Sequence, residues 1–166
     1  MSYRALFVAV SFLCVTAHAN PTAQPAITET VTRTVINGET AGVPVVAVAM
    51  TEEVNGIRRN SGTNVVSRSN PNQHLCWQTS GFAVQEGQLI EETIVSPASM
   101  RFTDPNAQIF STNNGTLHRM YSNVQKSSNG VGKCWQFGST DPVGDYMIEL
   151  KIGDVNFPAL PFVVTP

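Results

Sequence analysis

Two cysteines in this 166-residue chain each stand directly before a tryptophan and a glutamine, as Cys76-Trp77-Gln78 and Cys134-Trp135-Gln136. The chain has no other tryptophan. Three chemistries use cysteine in such a setting. A disulfide needs an oxidising compartment and Cα atoms within about 7 Å. A metal centre needs free thiolates and further ligands, for which His74, in a His-x-Cys arrangement with Cys76, and His118 stand available. A dithiol redox centre needs Cys-x-x-Cys, a spacing the chain lacks.

The remaining residue types offer less. There is no Gly-x-Ser-x-Gly elbow and no phosphate-cradling glycine loop. Glu52-Glu53 and Glu91-Glu92 are adjacent pairs, and neighbours on a strand point to opposite faces, so neither makes a carboxylate dyad. Asp141 and Asp145 could meet a cation, but bonding within a tight corner explains them better. Met100, Met120 and Met147 lack the close spacing of a copper site. Asn114-Gly115-Thr116 has the form of a glycosylation sequon, although its Asn-Gly step already has a turn role. No catalytic residue, cofactor or bound metal is expected, and a metal carrier or enzyme is kept as an alternative.

Which cysteine chemistry applies depends on where the protein works. Arg4, the apolar run Ala5 to Val15 and the small-x-small step Ala17-His18-Ala19 read as a secretory signal peptide over 1–19, too short to span a bilayer. Leu13 before Cys14 does not suit a lipid-attachment site, so Cys14 belongs to the discarded signal. The expected location is secreted or periplasmic, with a mature start at Asn20. Removing the signal leaves two cysteines, an even count that argues for one disulfide between Cys76 and Cys134. Closing that loop of nearly sixty residues contributes about 4 kcal/mol in the chain-entropy model. The indoles are then expected to serve as packing.

Charge narrows the partners. The whole chain carries net −2, and loss of Arg4 leaves nine basic against twelve acidic residues. That mild acidity gives no drive toward nucleic acid or an anionic membrane. No segment after the signal is apolar enough to span a membrane.

The elements that must position the cysteines read as short strands. Residues 20–36 form an N-terminal arm or first strand, and 37–166 a single β-sandwich domain. "ITETVTRTVI" (27–36) alternates and is β-prone. "VPVVAVAM" reads as a buried strand, and Asn55-Gly56 as a type I′ hairpin turn. Residues 58–73 read as a long, mobile, basic loop carrying Arg58, Arg59 and Arg68. "HLCWQTSGFAV" is expected as a central strand and "GQLIEETIVSP" as a further strand. Asn114-Gly115 marks a hairpin tip. In "DYMIELKI", Tyr146, Ile148, Leu150 and Ile152 share one face. Pro158 and Pro161 lack amide donors, which places the last strand at a sheet edge. No amphipathic helix longer than about two turns is expected; the composition of residues 87–97 allows one or two helical turns, but their length and their Gly and Pro boundaries favour the strand. The fold class is all-β, an antiparallel sandwich.

One stretch carries a resemblance. In "DPVGDYMIEL", Asp141, Gly144 and Tyr146 resemble the corner before the penultimate strand of immunoglobulin-like sandwiches. With Trp135, Phe137 and the terminal Phe162-Val163-Val164, the last thirty or so residues are similar to the closing hairpin of bacterial exported immunoglobulin-like modules. The resemblance implies that the Tyr146 hydroxyl bonds back to upstream backbone and fixes the corner. Two residues after that tyrosine the antibody pattern has a cysteine, where this chain has Ile148, so its disulfide must join a different strand pair.

Such modules bind through end loops or sheet edges. The expected function is non-catalytic binding of a protein or glycan in the envelope or at the cell surface. The expected contact surfaces are the Arg58–Arg68 segment and the stretch from Phe102 to Asn106. The alternative is a fimbrial or surface-fibre subunit that self-assembles by strand addition through residues 27–36.

Overall fold

The computed structural model describes residues 27–30 and 43–166. The signal segment with Cys14, residues 20–26 of the arm and residues 31–36 of the alternating stretch lie outside the described residues.

Two β-sheets face each other across one core. The first contains β1 (Ile27–Thr30), β2 (Val45–Val54), β3 (Ile57–Asn60), β5 (Gln73–Ser80) and β9 (Gly132–Trp135). Its order is β1-β2-β5-β9, with β3 folded back on β2. The second runs β4-β11-β10-β6-β8-β7. Its members are β4 (Val65–Ser67), β6 (Leu89–Val95), β7 (Gln108–Thr112), β8 (Leu117–Asn123), β10 (Gly144–Ile152) and β11 (Val155–Thr165). A single 3₁₀ turn, Asn113–Gly115, joins β7 to β8. No helix among the described residues is long and apolar enough to cross a membrane.

Period-two alternation sets which side chains go inside. Leu75, Trp77 and Thr79 of β5 are buried, while Gln78 and Ser80 are exposed. Tyr146, Ile148, Leu150 and Ile152 of β10 meet them from the other sheet in one core with Val46, Val48, Phe157 and Phe162. The Asn55-Gly56 turn has positive φ at both residues, as a type I′ hairpin requires, and sets Val54 against Ile57.

Three expectations need correction. Residues 58–73 are not one long loop, because β3 and β4 lie within them. All four residues of β3 are exposed, so that strand has no apolar periodicity to reveal it. The sandwich is not wholly antiparallel, since β4 runs parallel to the end of β11 through Val65↔Val163 and Val66↔Val164. For the same reason β11 is not an outermost strand. Its prolines are accommodated another way. The pairing with β10 slips between Ile148 and Leu150, leaving Pro158 and Ala159 outside the regular register. Pro161 precedes the stretch that β4 covers.

Candidate functional site

The repeated Cys-Trp becomes intelligible once β5 and β9 pair. They run antiparallel with Cys76 opposite Cys134, Leu75 opposite Trp135 and Trp77 opposite Lys133. The cysteines form a disulfide with a Cα–Cα distance of 4.0 Å. One step along each antiparallel strand turns the side chain to the other face. The two tryptophans therefore flank the bridge diagonally, on the inner side of the sheet. The metal alternative built on His74, Cys76 and Cys134 needs thiolates, and both sulfurs are committed to the bond.

Both indoles converge on a carboxylate from the opposite sheet. Trp77 Nε1 donates to Glu92 Oε2 at 2.8 Å, and Trp135 Nε1 donates to the same oxygen at 2.9 Å. Lys133 Nζ holds the second oxygen, Oε1, at 2.6 Å, and also meets Asp104 Oδ2 at 2.7 Å. The ammonium lies 4.1 Å from the Trp135 ring centroid. Glu92 is completely buried. Its charge is matched by an ammonium and two indole donors, the arrangement that makes a buried carboxylate tolerable. Around Asp104, burial raises the carboxyl pKa. The Lys133 hydrogen bond, the Asn106 amide and the Lys133 charge outweigh it and leave the pKa lowered. The expectation that the indoles serve only as packing is incomplete, because they also solvate a buried anion.

The second constellation is the corner. Tyr146 Oη donates to Pro142 O at 2.7 Å, and Met100 Sδ lies 3.5 Å away. Burial, helped by the Asp141 charge and opposed by Arg68, raises the phenol pKa. Asp141 Oδ2 accepts from the Gly138 amide at 2.7 Å. Gly144 takes φ +139°, a conformation that disfavours any side chain. Arg68 donates through Nη1 to the Asp141 carbonyl, which ties the strand β4 end to the corner.

The expected partner-binding residues do not come together. Arg68 is spent on the corner. Arg58 faces Glu53 at 3.5 Å and reaches Cys134 Sγ at 3.3 Å. Arg59 is exposed on β3 opposite Glu52, with no hydrogen bond to another described side chain. Phe102, expected as a contact residue, lies in the core. It is 8% exposed and packs edge-on to His118, Trp135 and Phe137. Two residues on, Asp104 meets Lys133 of β9 and ties the segment to that strand.

His118 is also internal. Its Nδ1 lies 2.9 Å from Ser111 Oγ and its Nε2 3.3 Å from Ser96 Oγ. Ser96 Oγ itself donates to Ala98 O, leaving its lone pair for the Nε2 hydrogen. Desolvation lowers the imidazole pKa, against a hydrogen bond from the ring to the Gly115 backbone carbonyl that raises it. Of the three methionines, Met120 is in the core and Met147 on the outer surface, so they do not gather.

Sequence reasoning passed over the outer face of the six-stranded sheet. One row across it is Phe110, Arg119, Thr93 and Glu149. The next is Gln108, Tyr121, Glu91, Lys151 and Asn156. Phe110 is 56% exposed and meets Tyr121 edge-on, with ring centroids 5.9 Å apart. Beside them a depression of about 220 Å³ is lined by Glu91, Thr93, Arg119, Glu149, Lys151 and Asn156. The signal was present in the sequence as Phe110, an aromatic residue on the polar phase of its strand.

The beta-sandwich description of the family that the chain matches agrees with this architecture. An uncharacterized protein of Pasteurella multocida (strain Pm70), PM0630, is 36% identical over 104 residues. The aligned stretch is 61% of this chain and 65% of that protein, so this chain spans just under two thirds of its relative's length. An immunoglobulin-like protein from Pseudomonas aeruginosa superposes with a TM-score of 0.44 at 15% identity, covering 71% of this chain and 91% of the other. The family described as the PM0630 beta sandwich domain matches residues 46–165, from the second residue of β2 to the end of β11. The chain belongs to that family.

Proposed function

We propose that this β-sandwich is exported to the bacterial envelope or cell surface, where it binds a protein or glycan partner without catalysing a reaction. The signal-like residues 1–19 and the disulfide support the location, because disulfides persist in oxidising compartments. The observation that carries the binding reading is exposed Phe110 stacked edge-on to half-buried Tyr121, on a sheet face furnished with Arg119, Glu91, Glu149 and Lys151. Exposed rings offer flat apolar area at small entropic cost, and the charged rows beside them supply directional hydrogen bonds. That combination suits the face of a sugar ring or a partner's side chains.

The test is capture from envelope extract, run beside a glycan array, with the native protein and the F110A/Y121A variant. Capture by the native protein and its loss in the variant, at unchanged melting temperature, is the expected result. Capture that survives the double substitution moves the site off this face. No capture by either protein on either platform sinks the reading.

A second reading rests on β1. This four-residue strand pairs antiparallel with β2 through Ile27↔Val48 to Thr30↔Val45, at the border of its sheet. A strand so placed can be exchanged between copies, which would make the protein an assembly subunit. Size-exclusion chromatography of the chain with and without residues 20–36 separates the two. A stable monomer after truncation, with a full chain that never polymerises, ends the assembly reading.

A further inference from the structure

We propose that the Cys76–Cys134 disulfide is a thiol-exchange site, at which an incoming anionic thiolate bonds to Cys76 and Cys134 departs as a thiolate beside Arg58. The indoles point inward, so the sulfurs lie on the outer face of the sheet. Both cysteines are only half-buried. They line an open groove of about 760 Å³ together with Thr51, Arg58, His74 and Asn129. A nucleophile therefore has a path to them without unfolding the sandwich.

The surroundings of the two sulfurs differ. Arg58 Nη1 lies 3.3 Å from Cys134 Sγ, whereas Cys76 Sγ has only the Thr51 hydroxyl, at 3.1 Å. A guanidinium stabilises a thiolate more than a hydroxyl does. Exchange is faster when the departing thiol is the more acidic one. Cys134 is thus the leaving sulfur and Cys76 the one attacked. The strands agree with this assignment. Cys76 is fixed in β5 between β2 and β9, while β9, at the end of the strand order among the described residues, can yield as the bond breaks. Among the described residues no carboxylate lines the groove, and the Arg58 guanidinium does. An anionic thiol is favoured there over a cationic one.

The step balances without another reagent. The incoming sulfur uses a lone pair to form the new S–S bond to Cys76 Sγ. The electron pair of the old bond leaves with Cys134 Sγ. The incoming thiolate is oxidised to the disulfide level and Cys134 is reduced.

The test treats the purified native protein with reduced glutathione, blocks free thiols at early times with iodoacetamide, and maps the products by peptide mass spectrometry. Glutathione on Cys76 and alkylation on Cys134 are expected. R58Q should slow the native-state reaction about five-fold, as expected for loss of one partly exposed charge, and R58K should restore most of the rate. Cysteamine, at equal thiolate concentration, should react more slowly than glutathione. A parallel melting curve checks that R58Q is folded. The proposal is overturned by a disulfide that reacts only after unfolding in urea, by glutathione found on Cys134, or by a rate that R58Q leaves unchanged. Equal rates with cysteamine overturn the preference for an anionic thiol.

Discussion

Trp77 and Trp135 deliver their indole hydrogens to one oxygen atom, Glu92 Oε2, from two strands that the Cys76–Cys134 bond holds in register. The pairing explains why the same dipeptide recurs in the sequence. On antiparallel strands with opposed cysteines, the residue after each cysteine falls on the same inner face, diagonally across the bridge. One carboxylate from the facing sheet can then accept from both. The sulfur bridge binds strand to strand, and Glu92 binds sheet to sheet.

Substituting Glu92 by Gln tests the clasp. The amide keeps the volume but loses the charge, and with its oxygen on the two indoles its NH2 group, which cannot accept a hydrogen bond, faces the Lys133 ammonium. Lys133 keeps Asp104, so the ammonium is not orphaned. Urea unfolding should show a loss of about 2–4 kcal/mol. W77F, which removes one donor and leaves the other, should cost about 1–1.5 kcal/mol. An E92Q protein as stable as the wild type would reduce the cluster to packing.

Part of this clasp was legible in the sequence. In β6, Ile90, Glu92 and Ile94 share one phase of the alternation, so a glutamate occupies a position that period two assigns to the core. The same alternation rules out a Glu91-Glu92 dyad, and it equally points Glu92 inward. What the sequence could not supply is the set of partners, because Trp135 and Lys133 lie more than forty residues away and meet Glu92 only through the packing of two sheets. The Tyr146 corner was legible because its bond is local, reaching back four residues to Pro142. Residues 58–73 read as one loop because β3 is exposed throughout and β4 is three residues long. Neither has a pattern that distinguishes it from loop.

His118 should make stability fall on mild acidification. Its folded-state pKa lies below the unfolded value of about 6.5. The unfolded chain therefore binds the extra proton first. The stabilisation is complete above about pH 6.5 and is lost as pH falls from there toward the folded-state value, with a slope of at most about 1.4 kcal/mol per pH unit. H118Q should flatten that part of the profile in chemical denaturation at pH 7.5, 6.5 and 5.5. A second decline, below about pH 4, is expected from Asp104, whose lowered pKa gives stability that disappears as its carboxylate protonates. D104N should remove that component and leave the His118 limb in place.

Tyr146 predicts the alkaline limb. Y146F removes the hydroxyl that fixes Pro142 O and should cost about 1 kcal/mol or slightly more at neutral pH. Because burial raises the folded-state pKa, only the unfolded chain ionises first as pH rises above about 10. The wild type should lose stability there through that residue, and Y146F should lose less. Parallel curves above pH 10 for the two proteins would contradict the buried, neutral phenol.

The disulfide and the Glu92 clasp both end on β9, and a double-mutant cycle can decide how the bridge acts. In the chain-entropy account, a bridge between residues 58 apart stabilises by about 4 kcal/mol, entirely by restricting the unfolded chain. Its removal by C76A/C134A would then add to the effect of E92Q, since nothing in the native state links them. The structure argues otherwise. β9 is four residues long and, among the described strands, pairs with β5 alone, so its docking depends on the bridge outside and on Trp135 and Lys133 inside. Once either anchor is lost, β9 can detach locally, and the second anchor then has less to hold. The combined loss should fall short of the sum of the separate losses by about 1 kcal/mol. Amide hydrogen exchange at Lys133 and Trp135 should rise most in the combined variant. Strict additivity, with protected β9 amides throughout, would show that the bridge works through the unfolded ensemble and that β9 stays docked without it.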